Sequence, residues 1–324
     1  MNAVAILGLL TDLVLAVSVL MLSIWIVLTP DRLRAVIGFL ANGILIALVW
    51  MRLGAPDVAL TEAIIGGGLV TLLLLGASAR VPPESARNAF ADRDRWPLHL
   101  LAALLAAVVA VGLALVVLNL PDPAPSLASA VASELPATAV DNPVTAVLMA
   151  FRAVDTLFET VVLVVALIAF WSLIPEGAWF QRAGWLPLRE PAPALVLLGR
   201  VLPPFGILTA VHLFWIGTTL PGGKFQAGAL LAAIWALVLI AGLSQPMAAA
   251  QRLPRLLVVI GPTVFFAFGL AGFWLAGDFL AYPSGFEKPL ILIIEAVLML
   301  SVAAALGLIL AGLPPAPGSL EQRR

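Results

Sequence analysis

Residues 55–79 read APDVALTEAIIGGGLVTLLLLGASA, a run long enough to cross a bilayer that nevertheless contains Asp57 and Glu62. A charged group in the bilayer core costs at least about 2.5–3.5 kcal/mol, so acids in such a run are candidates for a functional role. The whole chain is apolar, with 62% hydrophobic and 11% charged residues. Soluble domains have about 25% charged residues. The composition indicates an integral membrane protein, and the acids make ion movement the first hypothesis.

Nine apolar runs approach the roughly 20 residues that a helix needs to cross a bilayer. Their hydrophobicity is continuous along each run, which favours helices over strands of alternating polarity. We therefore predict an all-α fold, a polytopic membrane helix bundle of about nine transmembrane helices. The predicted spans are residues 3–28, 33–52, 56–78, 98–119, 146–174, 201–219, 226–244, 256–276 and 289–312.

The positively charged residues predict the orientation of the bundle, because they favour cytoplasmic connections. With nine spans, only four of the 17 Lys and Arg residues fall on one side of the membrane: Arg52, Arg152, Lys224 and Lys288. That side is predicted to be external, which places the N-terminus outside and the C-terminus in the cytoplasm. Lys224 is expected to be exposed in an external turn.

The chain divides into three predicted modules. Residues 1–79 form a three-span module, which the charged stretch 81–95 separates from a two-span module at 96–175. A four-span module follows at 200–313. No convincing internal repeat is visible, which argues mildly against secondary transporters built from inverted repeats.

The acids of the third span have different interpretations. Asp57 follows Pro56, so it either caps the start of the helix or takes part in ion handling. Glu62 lies about 8 Å deeper at helical rise, where capping cannot explain it. Proton or cation handling is the favoured interpretation for Glu62. The glycines at 66–68 allow either close helix packing, which is favoured, or a local distortion of the helix.

A second charged group occupies the fifth span. Arg152, Asp155 and Glu159 are spaced three and four residues apart, so they are predicted to share one helix face. Arg152 and Asp155 would form a salt bridge at the outer membrane edge, where arginine can snorkel. Glu159 lies deeper and is followed by an entirely apolar run, so it is the stronger candidate for a proton relay.

Three other polar residues give weaker signals. Glu295 lies two turns into the last span, where a functional role and a contact between helices are equally compatible with the pattern. His212 lies in an apolar run, where such a residue more often bonds a neighbouring helix than carries protons. Asp12 is expected near the outer interface.

Several classes of function are excluded by composition. The chain has no cysteine and two distant histidines, and it has no nucleotide-binding loop or Ser/His/Asp set. We therefore expect no enzyme activity, no cofactor and no firm metal site. The net charge of −1 and the lack of a basic stripe give no indication of nucleic-acid binding.

The motifs resemble those of Mrp-type multisubunit Na⁺/H⁺ antiporters and of the related hydrogenase membrane arms. GAPDVALT at 54–61 is similar to a motif in the C-terminal part of the large A subunit, and the continuation through Glu62 is closer to the hydrogenase D-like version. FRAVDTLFE at 151–159 is similar to the next, E-like segment, with Ala153 and Phe158 at two positions where the family has glycine. The resemblance covers the first two modules.

The last module resembles the antiporter B subunit. LPGGKFQAG at 220–228 is similar to its glycine-rich turn, with Lys224 and Ala227 in place of glycines. Glu295 falls where that family commonly has Asp. The chain is thus identified as a fusion of the C-terminal part of an A subunit with a B-like part.

The resemblance implies a multi-pass subunit in the inner (plasma) membrane of a bacterium or archaeon. Its expected partners are other membrane subunits of the antiporter complex, including proton-translocating subunits like those of complex I, together with Na⁺, H⁺ and the lipid bilayer. The implied ion path would use Glu62 and Glu159, tuned by Asp57, Asp155 and Arg152, and any Na⁺ would bind near the two glutamates.

Two alternatives differ from an ion-conducting subunit. One is a structural or assembly subunit of a redox or inorganic-carbon uptake complex, in which the buried acids contact only neighbouring helices. The other is a self-sufficient transporter. The sequence does not identify the cation or the direction of its movement.

Overall fold

The computed structural model describes residues 3–80, 96–121, 123, 125–182 and 191–314. Within these ranges the chain forms helices and no β-strand, which confirms the all-α prediction. The charged stretch 81–95 lies outside the described residues. In chain order, the helical segments are α1 (Ala3–Leu28), α2 (Arg32–Arg52), α3 (Pro56–Thr61), π1 (Glu62–Leu69), α4 (Val70–Arg80), α5 (Trp96–Leu118), α6 (Ala128–Glu134), α7 (Pro143–Ala146), π2 (Val147–Phe151), α8 (Ala153–Trp171), α9 (Pro193–Ile216), α10 (Lys224–Ile240), α11 (Arg252–Leu275) and α12 (Glu287–Ala311).

Eight spans in the described part of the chain are long and apolar enough to cross a membrane, and α3, π1 and α4 together form one of them. The apolar helix α10 is shorter, with 17 residues. Counting it gives the nine helices that the sequence predicts. The division into three modules and the absolute orientation of the bundle stay predictions.

Local signals set several helix ends. The Asp31 side chain accepts a hydrogen bond from the Arg34 N–H at 3.1 Å and so caps the start of α2. Asn142 caps α7 in the same way, through the Val144 N–H. Gly312, with a φ of +79°, follows the end of α12, a conformation that favours glycine.

The packing of the bundle centres on α12. Leu298, Ile294 and Val302 of this helix are at most 2% exposed. One apolar cluster joins α12 to α11 and to the segment from α7 to α8. A second cluster joins it to α10 and π1, through contacts that include Leu69 and Leu310. Residues distant in sequence therefore surround one central helix.

Two spans lie at the margin of this core. Helix α5 has no buried side chain, and α1 packs mainly along α2. Most of their apolar side chains are exposed in the described part of the chain. In a bilayer such surfaces contact lipid or other subunits.

Candidate functional site

A cavity of about 400 Å³ lies where segments of all three predicted modules meet. Four ionisable side chains line it: Asp57, Glu159, Lys224 and Glu295. Polar side chains of Thr61, Thr145 and Gln226 complete part of the wall. The cavity therefore brings together acids that are more than 200 residues apart in the chain.

Asp57 joins the first module to the last. Its carboxylate Oδ1 accepts a hydrogen bond from the Gly222 N–H at 3.0 Å, and its side chain is buried. Gln226 Nε2 donates to the Asp57 carbonyl at 3.2 Å and to Thr61 Oγ1 at 3.0 Å. Ala55 occupies the N-cap position of α3, and no side chain caps that end. The interpretation of Asp57 as the cap of this helix is therefore wrong.

Polar contacts also join the second module to the last. Asn142 Nδ2 donates to the carbonyls of Gly217 and Leu220, at 3.1 and 3.0 Å. Thr145 Oγ1 donates to the same Gly217 carbonyl at 2.6 Å. These bonds satisfy carbonyls in the turn that precedes α10, so residues of both the first and the second module bind this turn.

The turn before α10 is built from closely packed glycines. Gly222 and Gly223 have φ angles of +157° and +122°, which disfavour residues with a side chain. A Cβ at Gly217 would lie 2.6 Å from Gly223 Cα, and a Cβ at Gly222 would collide with the Leu213 carbonyl oxygen. The turn therefore folds back against α9 and directs the first residue of α10 inward.

That residue is Lys224, and the expectation of an exposed position for it is wrong. The side chain is 3% exposed. Its Nζ lies 3.9 Å from Met149 Sδ and 5.4 Å from the centroid of the Phe225 ring. Lys224 escapes notice in the sequence because it directly follows the Pro-Gly-Gly turn and so resembles part of an external connection. The available signal was its place immediately before an apolar run, as the first residue of a span.

Two carboxylates face this lysine across the cavity. Glu295 of α12 and Glu159 of α8 both interact electrostatically with Lys224. Among the described residues, however, no carboxylate comes within 4 Å of the Lys224 Nζ. Glu295 is 3% exposed, and its Oε2 has no hydrogen-bond partner in the described part of the chain. Because buried charges require compensation, the space between these groups suits water or a mobile ion.

A tyrosine supports the wall beside Lys224. The Tyr282 hydroxyl donates to the Met149 carbonyl at 2.8 Å and is electrostatically coupled to Glu295. Burial raises the pKa of the Tyr282 phenol well above its usual range. The phenol therefore stays protonated and acts as a hydrogen-bond donor.

Two π-helical segments border the cavity, through Ile65 of π1 and Leu148 of π2. π-Helical segments are rare in proteins, and those that occur are often found at functional sites. In π2, the Leu148 carbonyl accepts a hydrogen bond from Thr156 Oγ1 at 2.6 Å. Both interpretations of the glycine triplet hold: π1 is distorted, and a Cβ at Gly43 of α2 would lie 2.8 Å from Gly67.

Glu62 lies outside the lining of this cavity. It is half-buried at the start of π1 and has no hydrogen-bond or ion-pair partner among the described residues. Its carboxylate folds over Gly66, where a Cβ would collide with Glu62 Oε1. Glu159 thus lines the cavity and Glu62 does not, although the two were predicted together as ion carriers.

The remaining candidates lie at the surface of the chain. Arg152 and Asp155 form an exposed salt bridge of 2.6 Å, as the alternative to a functional role predicts. Arg152 lies between π2 and α8, so the predicted common helix face holds only for the two acids. Asp12 forms an exposed ion pair of 2.8 Å with Arg52. His212 is exposed on α9 and makes no hydrogen bond in the described part of the chain.

Comparison with known proteins assigns both ends of the chain to families. The MbhD family, described as the D subunit of MBH, matches residues 17–83. The "Domain related to MnhB subunit of Na+/H+ antiporter" matches residues 194–313. Together the two matches support an Mrp-type antiporter subunit. It fuses a part similar to the C-terminal region of the A subunit with a B-like part, which confirms the resemblance inferred from the motifs.

Individual relatives of this chain support the same family. The putative antiporter subunit mnhA2 of Staphylococcus saprophyticus is 28% identical over 166 residues, covering 50% of this chain and 20% of that protein. The mnhA2 protein of Staphylococcus aureus strain JH9 is 28% identical over 163 residues, with the same coverage. The Mrp-type subunit therefore spans about a fifth of the length of these curated relatives.

Solved structures share the fold. A chain of the Mrp complex from Dietzia sp. DQ12-45-1b superposes with a TM-score of 0.71 and 25% identity, covering 92% of this Mrp-type subunit and 34% of that chain. A chain of the membrane-bound sulfane sulfur reductase, an archaeal respiratory membrane complex, superposes with a TM-score of 0.52. It is 23% identical and covers 65% of this chain and 95% of its own length, so it supports the fold alone.

Proposed function

We propose that the chain is a membrane subunit of a cation/proton antiporter built from several subunits, and that the cavity between Lys224 and Glu295 forms part of its ion path. The relatives named above are antiporter subunits, and the role comes to this chain by that similarity. The observation that carries the assignment to the cavity is Glu295, which lines a space of about 400 Å³ and whose buried Oε2 has no hydrogen-bond partner in the described residues.

The proposed path depends on three acids. Glu159 and Glu295 exchange the ion with the cavity, and Asp57 holds the turn that carries Lys224. Glu295 lies eight residues into α12, about 12 Å along the helix axis. Glu62 belongs to a separate position near π1, and it remains a candidate in its own right.

The proposed setting is the plasma membrane of a bacterium or archaeon, where the chain assembles with complex I-like proton-translocating subunits. The apolar surfaces of α1 and α5 are available for those subunits or for lipid. The role is transport of Na⁺ and H⁺, with no chemical catalysis and no cofactor.

A structural role is the second candidate. The bonds that join Asp57 and Asn142 to the last module, and Gln226 of that module to the first, resemble the contacts of an assembly part. In this alternative, the buried acids stabilise the junction between modules and carry no ion.

Na⁺-dependent proton flux in inverted vesicles that contain the whole complex separates the two candidates. We expect Glu295→Gln and Glu159→Gln to reduce flux strongly in a complex that assembles normally on native gels. Glu134→Gln is the matched control, because Glu134 is exposed on α6 and lies outside the cavity lining. Normal flux in both cavity variants would refute the ion path, and failed assembly of both would favour the structural role. The flux of Glu62→Gln, measured in the same vesicles, tests whether Glu62 takes part in transport from its position outside the cavity.

A further inference from the structure

The ammonium group of Lys224 is a positive charge tethered to the chain, and it lies in a cavity where an ion path would hold a mobile cation. The side chain is 3% exposed and enters the cavity from the first residue of α10. The glycine turn behind it is closely packed, since a Cβ at Gly217 would lie 2.6 Å from Gly223. The ammonium group is therefore part of the cavity.

The charges around the lysine come from three helices. Glu295 of α12 and Glu159 of α8 interact with it electrostatically, and Asp57 of α3 lines the same space. Asp57 is engaged by the Gly222 N–H. The ammonium balances one of the two glutamates and leaves the other to bind a proton, whereas a Na⁺ among them would meet like-charge repulsion from the ammonium in a low-dielectric environment.

Sodium also requires several oxygen ligands at one point. Part of the space near Glu295 and Glu159 is already occupied by the Lys224 side chain, whose terminal atom contacts Met149 Sδ at 3.9 Å. An amine among these groups offers N–H donors and no oxygen ligand.

We propose that Lys224 is a tethered cation in this cavity, so that the site between Glu159 and Glu295 exchanges protons and excludes Na⁺. The inference rests on the proposed function and narrows it: Na⁺ moves elsewhere in the complex. In the exchange, an N–H bond of the ammonium breaks and an O–H bond forms on a glutamate, directly or through water in the cavity. The pair changes from ammonium and carboxylate to amine and carboxylic acid, with no net change of charge.

Equilibrium binding of ²²Na⁺ to the purified complex tests this inference. We expect Lys224→Ala and Lys224→Gln to bind one additional Na⁺ per chain compared with wild type, and Lys224→Arg to bind no more than wild type. Adding Glu295→Gln to either neutral variant should remove the gained Na⁺. Lys288→Gln is the matched control, since this second lysine lies outside the cavity lining and should give no gain.

Two results would overturn the inference. One is unchanged Na⁺ binding in whichever neutral variants assemble. The other, which requires no change at Lys224, is a bound Na⁺ in the wild type that is lost on Glu295→Gln. Vesicle flux keeps the two proposals apart, because gained binding without any wild-type transport refutes only the proposed function. Normal transport without gained binding refutes only the tethered cation.

Discussion

The contact between Gly43 and Gly67 provides a quantitative test of how the first module packs. A Cβ added at Gly43 would lie 2.8 Å from both Cα and N of Gly67 and 3.1 Å from the Gly66 carbonyl carbon. Non-bonded carbon atoms prefer about 3.5–4.0 Å. Because these neighbours are backbone atoms, no side-chain rotation relieves the clash, and α2 would have to move away from π1 by roughly 1 Å in Gly43→Ala.

Two opposing effects determine how far Gly43→Ala changes the free energy of unfolding. Overpacking of this kind costs about 1–3 kcal/mol, and alanine in place of glycine inside a helix gains about 1 kcal/mol. The rigid backbone contact favours the upper part of the first range. We therefore expect Gly43→Ala to lower the free energy of unfolding by about 1–2 kcal/mol.

The assay is the thermal unfolding midpoint of the detergent-solubilised protein, followed by tryptophan fluorescence. Gly112→Ala in α5 is the matched control, because a Cβ there has no atom within 4 Å. The control should unfold at the wild-type temperature or above it, and Gly43→Ala clearly below it. Equal midpoints for the two alanine variants would refute the close backbone contact between α2 and π1.

Three further predictions concern the junction of the modules. Asn142→Ala removes three hydrogen bonds at about 0.5–1.5 kcal/mol each, so its unfolding midpoint should fall further than that of Gly43→Ala. A wild-type midpoint would show that these bonds are not formed. Gln226→Met keeps the side-chain length but loses the bonds to Asp57 and Thr61, so complex yield on native gels should drop, and an undiminished yield would contradict a structural role for them. Arg152→Gln breaks an exposed salt bridge worth about 0–1 kcal/mol, so flux and midpoint should stay near wild type. A large loss of flux would instead place Arg152 on the ion path.

Much of the candidate site could be predicted from the sequence because membrane burial makes charge conspicuous. Glu159, Glu295 and Asp57 stood out as acids in apolar runs, and all three line one cavity. Glu62 stood out for the same reason but lies outside that cavity. The type of a residue indicates what it costs to bury its charge. It does not indicate which buried charges line the same cavity.

The sequence by itself determined the class of the protein, the approximate limits of its spans and its resemblance to antiporter subunits. These properties depend on local hydrophobicity and on short motifs, which neighbouring residues define. The sequence did not determine the π-helical form of residues 62–69, since a glycine triplet permits either close packing or a distortion of the helix. The structure contains both.

Only the tertiary structure decided the position of Lys224. In the sequence it follows a Pro-Gly-Gly turn and looks exposed, but the turn donates a hydrogen bond to Asp57 and accepts two from Asn142, which hold it against the bundle. These partners lie 75 to 165 residues away in the chain. Burial of a side chain depends on what covers it, and here the covering groups come from the other two modules.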